Sequence, residues 1–254
     1  MIKIEIVSCL KDNYSYIIQD SESNLIGVVD PSDFNPIDEV LCKKFKKLDY
    51  ILNTHHHLDH VGGNKKLKNK YKSKIVGAKI DRDRIPDIDL LLNENEIFKF
   101  GKIEFKIISI PGHTKGHIAF YSEKEKVIFT GDTLFSLGCG RIFEGTSSQM
   151  FNSLDKIKKL PKDTKIYFGH EYTKNNFDFC FNYEKNNKEL KNKIKWIDLR
   201  LKKGLFTTPT LLGDELNTNI FLRCENNAIK KNLGMSEMPD ELIFEKLRNL
   251  KDNF

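Results

Sequence analysis

Thr54-His55-His56-His57-Leu58-Asp59-His60 is the stretch of sequence that decides the fold of this chain. It places four histidines and one aspartate within six consecutive positions, directly after the apolar run Tyr50 to Asn53, which we predict to be a strand. Scattered core or surface histidines would not cluster in this way. Because neutral imidazole and carboxylate groups bind zinc, iron or manganese, the stretch predicts a metal site at the end of a strand.

Three other short segments carry histidine or aspartate at the end of an apolar run. They are Pro111-Gly112-His113-Thr114-Lys115-Gly116-His117, Phe129-Thr130-Gly131-Asp132-Thr133 and Phe168-Gly169-His170-Glu171. Ligand sites of α/β sheets lie at the carboxyl ends of the strands. We therefore expect these segments and the first one to contribute side chains to one site.

The number of candidate ligands favours two metal ions over one. A tetrahedral ion needs four ligands, whereas the four segments supply seven candidates. Two divalent ions about 3.5 to 4 Å apart that share one ligand would hold a nucleophilic hydroxide and polarise a substrate oxygen. His56 lies between two candidates and is expected to point elsewhere, and His117 is not predicted to be a ligand. The seven candidates are His55, His57, Asp59, His60, His113, Asp132 and His170.

The first 170 residues or so alternate short β-type runs with a few helical patterns. The runs are rich in Ile, Val, Phe or Tyr and have Gly, Asn, Asp or Pro nearby, which is typical of strands. Helical spacing of apolar residues appears from Ile37 to Leu48 and from Met150 to Ile157. These features predict an α/β protein with two sheets or one large mixed sheet. The predicted strands are Ile2 to Val7, Tyr14 to Gln19, Leu25 to Asp30, Tyr50 to Asn53, Lys74 to Gly77, Ile97 to Phe100, Ile103 to Ile110, Ile118 to Tyr121, Lys126 to Thr130 and Lys165 to Phe168.

The β-type runs end near Tyr172, and the rest of the chain is predicted to be helical. An apolar stripe over 190–201 predicts one helix, and a proline followed by two acidic residues predicts the start of another over 239–250. No repeat or low-complexity linker separates the two parts. We therefore divide the chain into an α/β domain, 1–172, and a helical appendage, 173–254, that packs on it.

The composition excludes several classes of protein. With 254 residues, 39% hydrophobic and 31% charged, and a mean hydropathy of −0.48, the chain is neither disordered nor collagen-like. No stretch approaches the roughly 20 consecutive apolar residues of a membrane helix. Five scattered cysteines suggest neither a disulfide framework nor a Cys-based zinc site, which favours a reducing cytoplasm. The net charge of +6 is only a mild excess of 42 basic over 36 acidic residues.

The His-x-His-x-Asp-His pattern from His55 to His60 resembles the signature of the metallo-β-lactamase superfamily. This resemblance implies an αββα sandwich with a binuclear metal site at one edge. It also implies how the ligands divide between the two metals. His55, His57 and His113 would hold one ion, Asp59, His60 and His170 the other, and Asp132 would bridge them.

Further motifs narrow the resemblance to the glyoxalase II family, the hydroxyacylglutathione hydrolases. They are Asp12-Asn13-Tyr14, Gly131-Asp132-Thr133-Leu134-Phe135 with Gly138-Cys139-Gly140-Arg141, and Gly169-His170-Glu171-Tyr172-Thr173. In the final residues, Arg248, Lys251 and Asp252 match the family's glutathione-binding helix. The resemblance covers essentially the whole chain, and it implies a catalytic domain over 1–172 and a helical glutathione-binding domain over 173–254.

The activity implied by this resemblance is thioester hydrolysis. S-D-lactoylglutathione, or a related S-2-hydroxyacylglutathione, would be converted to glutathione and D-lactate, as in the second step of methylglyoxal detoxification. The nucleophile would be a metal-bound hydroxide that Asp59 and Asp132 help to orient. The implied cofactors are two divalent ions, zinc or iron or both, with manganese as a further option, because His and Asp accept all three.

Five residues are expected to bind the glutathione moiety, whose two carboxylates require cations at the rim of the pocket. Where the family often has Lys and, two residues later, Tyr, this chain has Arg141 and Phe143. Arg141 keeps a cation that can bind a carboxylate bidentately. Phe143 removes a hydroxyl whose hydrogen bond would contribute about 1 kcal/mol to binding. The five residues are Arg141, Phe143, Tyr172, Arg248 and Lys251.

Two alternative functions stand beside this one. A persulfide dioxygenase resembles this branch but uses one iron, so Asp59, His60, His170 and residues 173–254 argue against it. An RNA-processing metallo-hydrolase is suggested by a pI of about 8.9 and a lysine-rich stretch over 185–203, but no RNA-binding motif accompanies them. We expect a small-molecule glutathione thioester as partner, no nucleic acid or membrane, a monomer and a cytoplasmic location.

Overall fold

The computed structural model describes residues 1 to 254 and divides into two compact units. The first unit comprises residues 1–109 and 115–131, and the second comprises residues 110–114 and 132–254. No helix in either unit combines the length and the apolar character needed to cross a lipid bilayer.

The first unit contains a six-stranded mixed sheet. Its strands are β1 (Ile2–Cys9), β2 (Asn13–Asp20), β3 (Ile26–Val29), β4 (Tyr50–Leu52), β5 (Lys74–Ala78) and β6 (Leu90–Leu92), and they lie side by side in that order. The β1–β2 and β2–β3 pairs are antiparallel, whereas β3 to β6 run parallel to one another. The carboxyl ends of β3 and β4 therefore lie next to each other at one edge of the sheet.

One face of this sheet is covered by helices. They are α1 (Phe34–Val40), which continues as a π-helical turn over Leu41–Phe45, and α3 (Asn64–Tyr71). Ile37 of α1 and Leu67 of α3 are completely buried against strand residues such as Ile51. Because both faces of β3, β4 and β5 are covered, these strands are apolar at nearly every position.

The other face packs on a second, antiparallel sheet of the same unit. Its strands are β7 (Ile97–Phe100), β8 (Ile103–Ser109), β9 (Ile118–Ser122) and β10 (Val127–Gly131), in spatial order β10-β9-β8-β7. Aromatic rings join the two sheets: Tyr50 meets the edge of Phe98 at 5.4 Å, and Tyr16 lies 5.6 Å from Phe129. Such offset aromatic pairs add to the stabilisation from apolar burial.

The second unit is mainly helical. Its strands are β11 (Leu134–Phe135) and β12 (Gly138–Cys139), which pair as a hairpin, and β13 (Lys165–Phe168) and β14 (Thr210–Leu211), which pair antiparallel. Its helices are α4 (Ser147–Lys158), α5 (Thr173–Tyr183), α6 (Lys188–Lys202), α7 (Leu212–Thr218), α8 (Asn227–Asn232) and α9 (Asp240–Asp252). The start of α4 is set by a capping box between Thr146 and Gln149, and Asn187 caps α6.

The predicted α/β architecture with a helical C-terminal region is confirmed, the alternative of two sheets holds in the first unit, and all ten predicted strands are present within two residues at each end. The expectation that no strand follows Tyr172 was wrong, because β14 adds to the edge of β13. Strands β6, β11 and β12 were also missed. Strands of two or three residues contain too little alternation to be seen in the sequence, and they form because a neighbouring strand supplies the hydrogen bonds.

Candidate active site

The seven candidate ligands occur as two groups, one within each unit. The first unit holds His55, His57, Asp59 and His60, and the second unit holds His113, Asp132 and His170. We name them the local group and the assembled group, because the first comes from one turn of chain and the second from three separate segments.

The local group follows strand β4 and runs into a short helix, α2 (Leu58–Val61). The helix begins directly after His57, so that Leu58 is exposed while His60 turns into the interior. The Nε2 atom of His55 lies 3.2 Å from Nδ1 of His57, and Nε2 of His60 lies 3.7 Å from a carboxylate oxygen of Asp59. Nitrogen ligands about 2.1 Å from a tetrahedral metal lie about 3.4 Å apart, so these spacings fit a bound cation.

Asp30, which sequence reasoning missed, holds this group in place. It follows β3, is buried, and accepts hydrogen bonds from the backbone N–H of Thr54 at 2.8 Å and from the Thr54 hydroxyl at 2.6 Å. One of its oxygens also lies 3.1 Å from Nδ1 of His60. A carboxylate on the far nitrogen of a ligating histidine fixes the ring and raises its basicity. The available signal was its place at the end of the predicted strand Leu25 to Asp30.

Asn13 positions the one carboxylate of the local group. Its side-chain amide donates to the backbone oxygen of Asp59 and to a carboxylate oxygen of Asp59, both at 3.0 Å. Asp59 is thereby directed although its side chain is 41% exposed. This contact gives a physical role to Asn13 in the Asp12-Asn13-Tyr14 motif.

The two remaining histidines of the first unit lie beside the local group. The Nδ1 atom of His56 lies 3.5 Å from Asp81, outside the local group, while its ring meets that of His57 at a centroid distance of 5.0 Å. His117 is completely buried, and its ring stacks on His55 with a centroid distance of 4.6 Å. Gly131 makes room for this stack: it has φ +47°, and a Cβ there would lie 2.8 Å from Cε1 of His117 and 2.3 Å from the Thr54 hydroxyl oxygen.

The assembled group is centred on Asp132. One carboxylate oxygen of Asp132 lies 3.5 Å from Nε2 of His113 and 3.2 Å from Nε2 of His170. All three side chains are nearly inaccessible to solvent. The separations again match those between ligands of one cation, and one oxygen shared by two imidazoles is the arrangement that a bridging carboxylate provides.

Backbone and aromatic contacts orient the two histidines of the assembled group. Nδ1 of His113 lies 2.8 Å from the backbone oxygen of Arg141, so Nδ1–H donates there and Nε2 keeps its lone pair. His170 stacks on Tyr172 with a centroid distance of 4.8 Å and an angle of 3° between the rings. Phe143, 63% exposed, presents its ring to His113 at 5.2 Å. The rings of Phe143 and Tyr172 therefore lie directly beside metal-ligand candidates.

Two cations of the second unit are accessible. The Arg141 side chain is 61% exposed, and its Nε lies 3.6 Å from the carboxylate of Asp252. Lys251 contacts the side chain of Asn175 and lies 4.8 Å from the centroid of the Phe254 ring. Partial burial, together with the nearby Arg248 guanidinium, lowers the pKa of Lys251 to about 8. The Lys251 ammonium group contacts the neutral side chain of Asn175 and forms no ion pair with a carboxylate, which suits it to bind an anionic ligand.

Arg248 does not lie at the rim, where it was expected. It is 4% exposed, and its guanidinium donates to the backbone oxygen of Cys139 at 2.7 Å and to Asp252 at 2.9 Å. It also covers the face of Phe221 at 5.3 Å. The sequence could not distinguish a solvated arginine from one that ties helix α9 to the segment around Cys139.

Four of the five cysteines are buried, and Cys42 alone is exposed. Burial raises the pKa of the Cys139 and Cys9 thiols and raises that of Cys180 to about 12. Burial likewise raises the pKa of Cys224. None of these thiols belongs to either ligand group.

Comparison with protein families divides the chain at the end of the assembled group. Residues 12–170 match the metallo-β-lactamase superfamily, and residues 171–254 match the C-terminal region of hydroxyacylglutathione hydrolases. The predicted fold class is therefore confirmed, because the chain carries both the metallo-β-lactamase fold and its helical C-terminal region.

The chain is also similar to curated proteins over its whole length. It is 53% identical to the hydroxyacylglutathione hydrolase of Pelagibacter ubique, with 100% of each chain covered. It is 44% identical to that of Brucella ovis, with 100% of this chain and 98% of the relative covered. The chain thus spans essentially the full length of these relatives.

Solved structures share the fold at low identity. The structure of ETHE1 from Myxococcus xanthus has a TM-score of 0.69 and 21% identity, and the match covers 98% of this chain and 91% of that one. TTHA1623 in a di-iron-bound form has a TM-score of 0.61 and 24% identity, and the match covers 87% and 100%. The full-length relatives and the match of the C-terminal region do not favour the dioxygenase or RNA-processing alternatives. The chain belongs to the hydroxyacylglutathione hydrolase family, a family of thioesterases within the metallo-β-lactamase superfamily.

Proposed function

We propose that this chain hydrolyses S-2-hydroxyacylglutathione thioesters, S-D-lactoylglutathione above all, to glutathione and the free hydroxy acid. The observation that carries the proposal is the carboxylate oxygen of Asp132, which lies within 3.5 Å of Nε2 of both His113 and His170. A buried carboxylate between two imidazoles suits a site that holds cations. Membership of the family supports the choice of a glutathione thioester as substrate.

We propose that the local and assembled groups together hold two divalent metal ions. Zinc, iron and manganese all accept this donor set. When bound, two such ions lower the pKa of water toward neutrality and polarise a carbonyl group. One ion would be held by His55, His57 and His113, the other by Asp59, His60 and His170, with Asp132 shared between them.

The side chains of this chain would prepare the site for hydrolysis. Asp30 fixes the ring of His60, and the backbone oxygen of Arg141 fixes that of His113, so each imidazole presents Nε2 in a set direction. Asn13 directs the carboxylate of Asp59. Asp59 and Asp132 would accept a hydrogen bond from the attacking water and orient it toward the thioester carbonyl carbon. The carbon–sulfur bond breaks as the water oxygen bonds to the carbonyl carbon, the glutathione sulfur takes up the proton that the water loses, and no serine or cysteine nucleophile is needed.

Two solvent-accessible cations of the second unit, Arg141 and Lys251, would recognise the glutathione moiety. Arg141 offers a planar guanidinium for one carboxylate, and Lys251 offers an ammonium group. Tyr172 and Phe143 would contact the apolar parts of the tripeptide. Arg248 is buried, and its closest role would be to hold the backbone of Cys139 and the carboxylate of Asp252, both next to these cations.

The domain roles, oligomeric state and cellular location that we propose are those that suit a small glutathione thioester as substrate. We propose that residues 1–172 form the catalytic domain and residues 173–254 supply part of the glutathione site. We further propose that the chain acts as a monomer in the cytoplasm, on a small molecule, without nucleic acid or membrane partners. Free cysteines are consistent with the reducing compartment in which glutathione is abundant.

The test is a saturation curve for the hydrolysis of S-D-lactoylglutathione by purified, metal-loaded protein. We expect saturable turnover, two metal equivalents per chain, and loss of turnover after chelation that is restored by added zinc, iron or manganese. The matched control substrate is the D-lactoyl thioester of N-acetylcysteamine, which keeps the reacting bond and lacks glutathione. Turnover of both substrates with the same kcat/KM would refute glutathione recognition, and no turnover of either would refute the thioesterase.

A further inference from the structure

The segment that follows Asp132 forms a closed loop of eight residues, 133–140, which we name the Asp132 loop. The chain leaves at Thr133 and returns at Gly140, whose backbone N–H donates to the Thr133 oxygen at 3.3 Å. A Cβ atom at Gly140 would lie 1.9 Å from the backbone oxygen of Asp132, so only glycine permits this closure. The loop therefore begins at one metal-ligand candidate and ends beside it.

The tip of the Asp132 loop is anchored by a buried carboxylate on helix α7. Glu215 is completely inaccessible to solvent, and it accepts hydrogen bonds from the backbone N–H of Leu137 at 2.7 Å and from the Ser136 hydroxyl at 3.1 Å. Leu137 has φ +60°, a strained conformation for a leucine. Lys193 of helix α6 forms an ion pair with Glu215 and is itself buried. The Glu215 carboxylate thus accepts hydrogen bonds from the buried donors at the tip of the loop.

Amide side chains hold the rest of the Asp132 loop. The amide of Asn219 donates to the backbone oxygens of Phe135 at 3.2 Å and Gly138 at 3.1 Å, and also to Glu215 at 3.1 Å. The amide of Asn176, on helix α5, donates to the Ser136 oxygen at 3.1 Å. Buried carbonyl groups without such partners would be costly, so these contacts define one conformation of the loop.

The returning end of the loop controls His113. Arg141 follows Gly140 directly, and its backbone oxygen is the acceptor for Nδ1–H of His113. Movement of the loop would therefore change the ring orientation of His113 and the main-chain position of Asp132. It would also shift the Cα atom of Arg141. The hydrogen bonds from helices α5 and α7 end on residues of the loop, and none of them reaches His113 or Asp132 directly.

We propose that Glu215 is a positioning residue of the metal site, through which the C-terminal helices fix the Asp132 loop and hence His113 and Asp132. This inference rests on the proposed metal ligation. It gives the C-terminal region a role beyond glutathione binding. The same helices would set the affinity for metal even when no substrate is present.

The test uses a charge-balanced double variant with a matched control. Lys193→Met/Glu215→Gln removes the buried ion pair and keeps the shapes of the side chains, which buried pairs often tolerate. The control, Arg223→Met/Glu184→Gln, removes a largely buried ion pair of the same unit that makes no hydrogen bond to the Asp132 loop. Circular dichroism and thermal melting establish that both variants are folded at the temperature of measurement.

Two measurements then separate positioning from general stability. In the Lys193→Met/Glu215→Gln variant, we expect the Leu137 amide to exchange hydrogen at least about tenfold faster, and the zinc affinity from chelator competition to fall by about tenfold, in the range for residues behind the ligands. The control should stay within about twofold of the parent protein in both. If the parent protein binds no zinc, the proposed function fails. If it binds zinc and both variants bind it equally well or equally poorly, the positioning role of Glu215 is refuted.

Discussion

The local group and the assembled group bring similar donors together by different means. The four candidate ligands of the local group lie within six consecutive residues, and the side chains of Asp30 and Asn13 orient two of them. The three candidate ligands of the assembled group are separated by 19 and 38 positions in the chain, from 113 to 132 and from 132 to 170. There a backbone oxygen and an aromatic ring orient the histidines.

This difference shows where each half is vulnerable. The local group depends on a few side-chain hydrogen bonds, so a single substitution can misdirect it without moving the backbone. The assembled group depends on the conformation of the chain around it, including the Asp132 loop. It should therefore respond to changes in helices that do not touch it.

The largest expected effect comes from the centre of the assembled group. Asp132→Asn keeps the shape but removes the charge that His113 and His170 share, so kcat/KM should fall by more than the roughly 100-fold that loss of an outer partner can cost. Metal content should drop below two equivalents per chain by elemental analysis. A variant that retains both metals and activity would remove Asp132 from the centre of the site.

The next effect tests the local group through its orienting carboxylate. Asp30→Asn leaves an acceptor for the Thr54 amide but weakens the contact with His60, and metal affinity or activity should fall by about 10- to 100-fold. Asp20→Asn is the matched control, because Asp20 is an equally buried carboxylate of the same unit that accepts from the backbone amides of Glu22, Ser23 and Lys102 and from the Ser23 hydroxyl, away from the local group. Equal losses of metal affinity in the two variants would mean that Asp30 is merely structural.

A smaller effect concerns the pH dependence of glutathione recognition. The pKa of Lys251 is lowered to about 8, so its ammonium is charged below pH 8 and becomes neutral above it. As pH rises through this value, kcat/KM should fall by about tenfold, corresponding to the loss of one charge-assisted hydrogen bond, while kcat changes little. Lys251→Arg, which keeps its charge, should abolish this step. A step that persists in the arginine variant belongs to another group.

The smallest effect concerns the ring beside His113. Phe143→Tyr restores the hydroxyl of the family pattern on an exposed ring, and one hydrogen bond to the tripeptide would lower KM by about fivefold, or about 1 kcal/mol, with kcat unchanged. Measuring both constants for the parent and the variant decides the matter. An unchanged KM would mean that this edge of the assembled group does not meet the substrate.

The sequence predicted the parts of the site that are local or lie at strand ends. His55 to His60 could be predicted as ligands because the donors crowd into one turn, and Asp132 and His170 because each lies at the end of a strand with three consecutive large apolar residues. The same periodicity gave most strand boundaries and helices α4, α6 and α9. In these elements the spacing of apolar residues over a few positions is enough to predict the secondary structure.

The parts that were missed depend on contacts between distant residues. Asp30 is an ordinary strand-end aspartate until Thr54 and His60 are placed against it. Arg248 and Glu215 lie on helices and are charged. Nothing in their sequence spacing indicates that both side chains would be buried and hydrogen-bonded to the backbone of the Asp132 loop. Such roles arise from tertiary structure, and the sequence records them only as single polar residues.

The burial of the thiols has a consequence for how the protein withstands oxidation. A glutathione-handling enzyme meets glutathione disulfide, which exchanges only with a thiolate that it can reach. Cys9, Cys139, Cys180 and Cys224 are enclosed, and their raised pKa values keep them protonated. Glutathione disulfide would therefore leave the four interior thiols unmodified and react only at the surface, at Cys42.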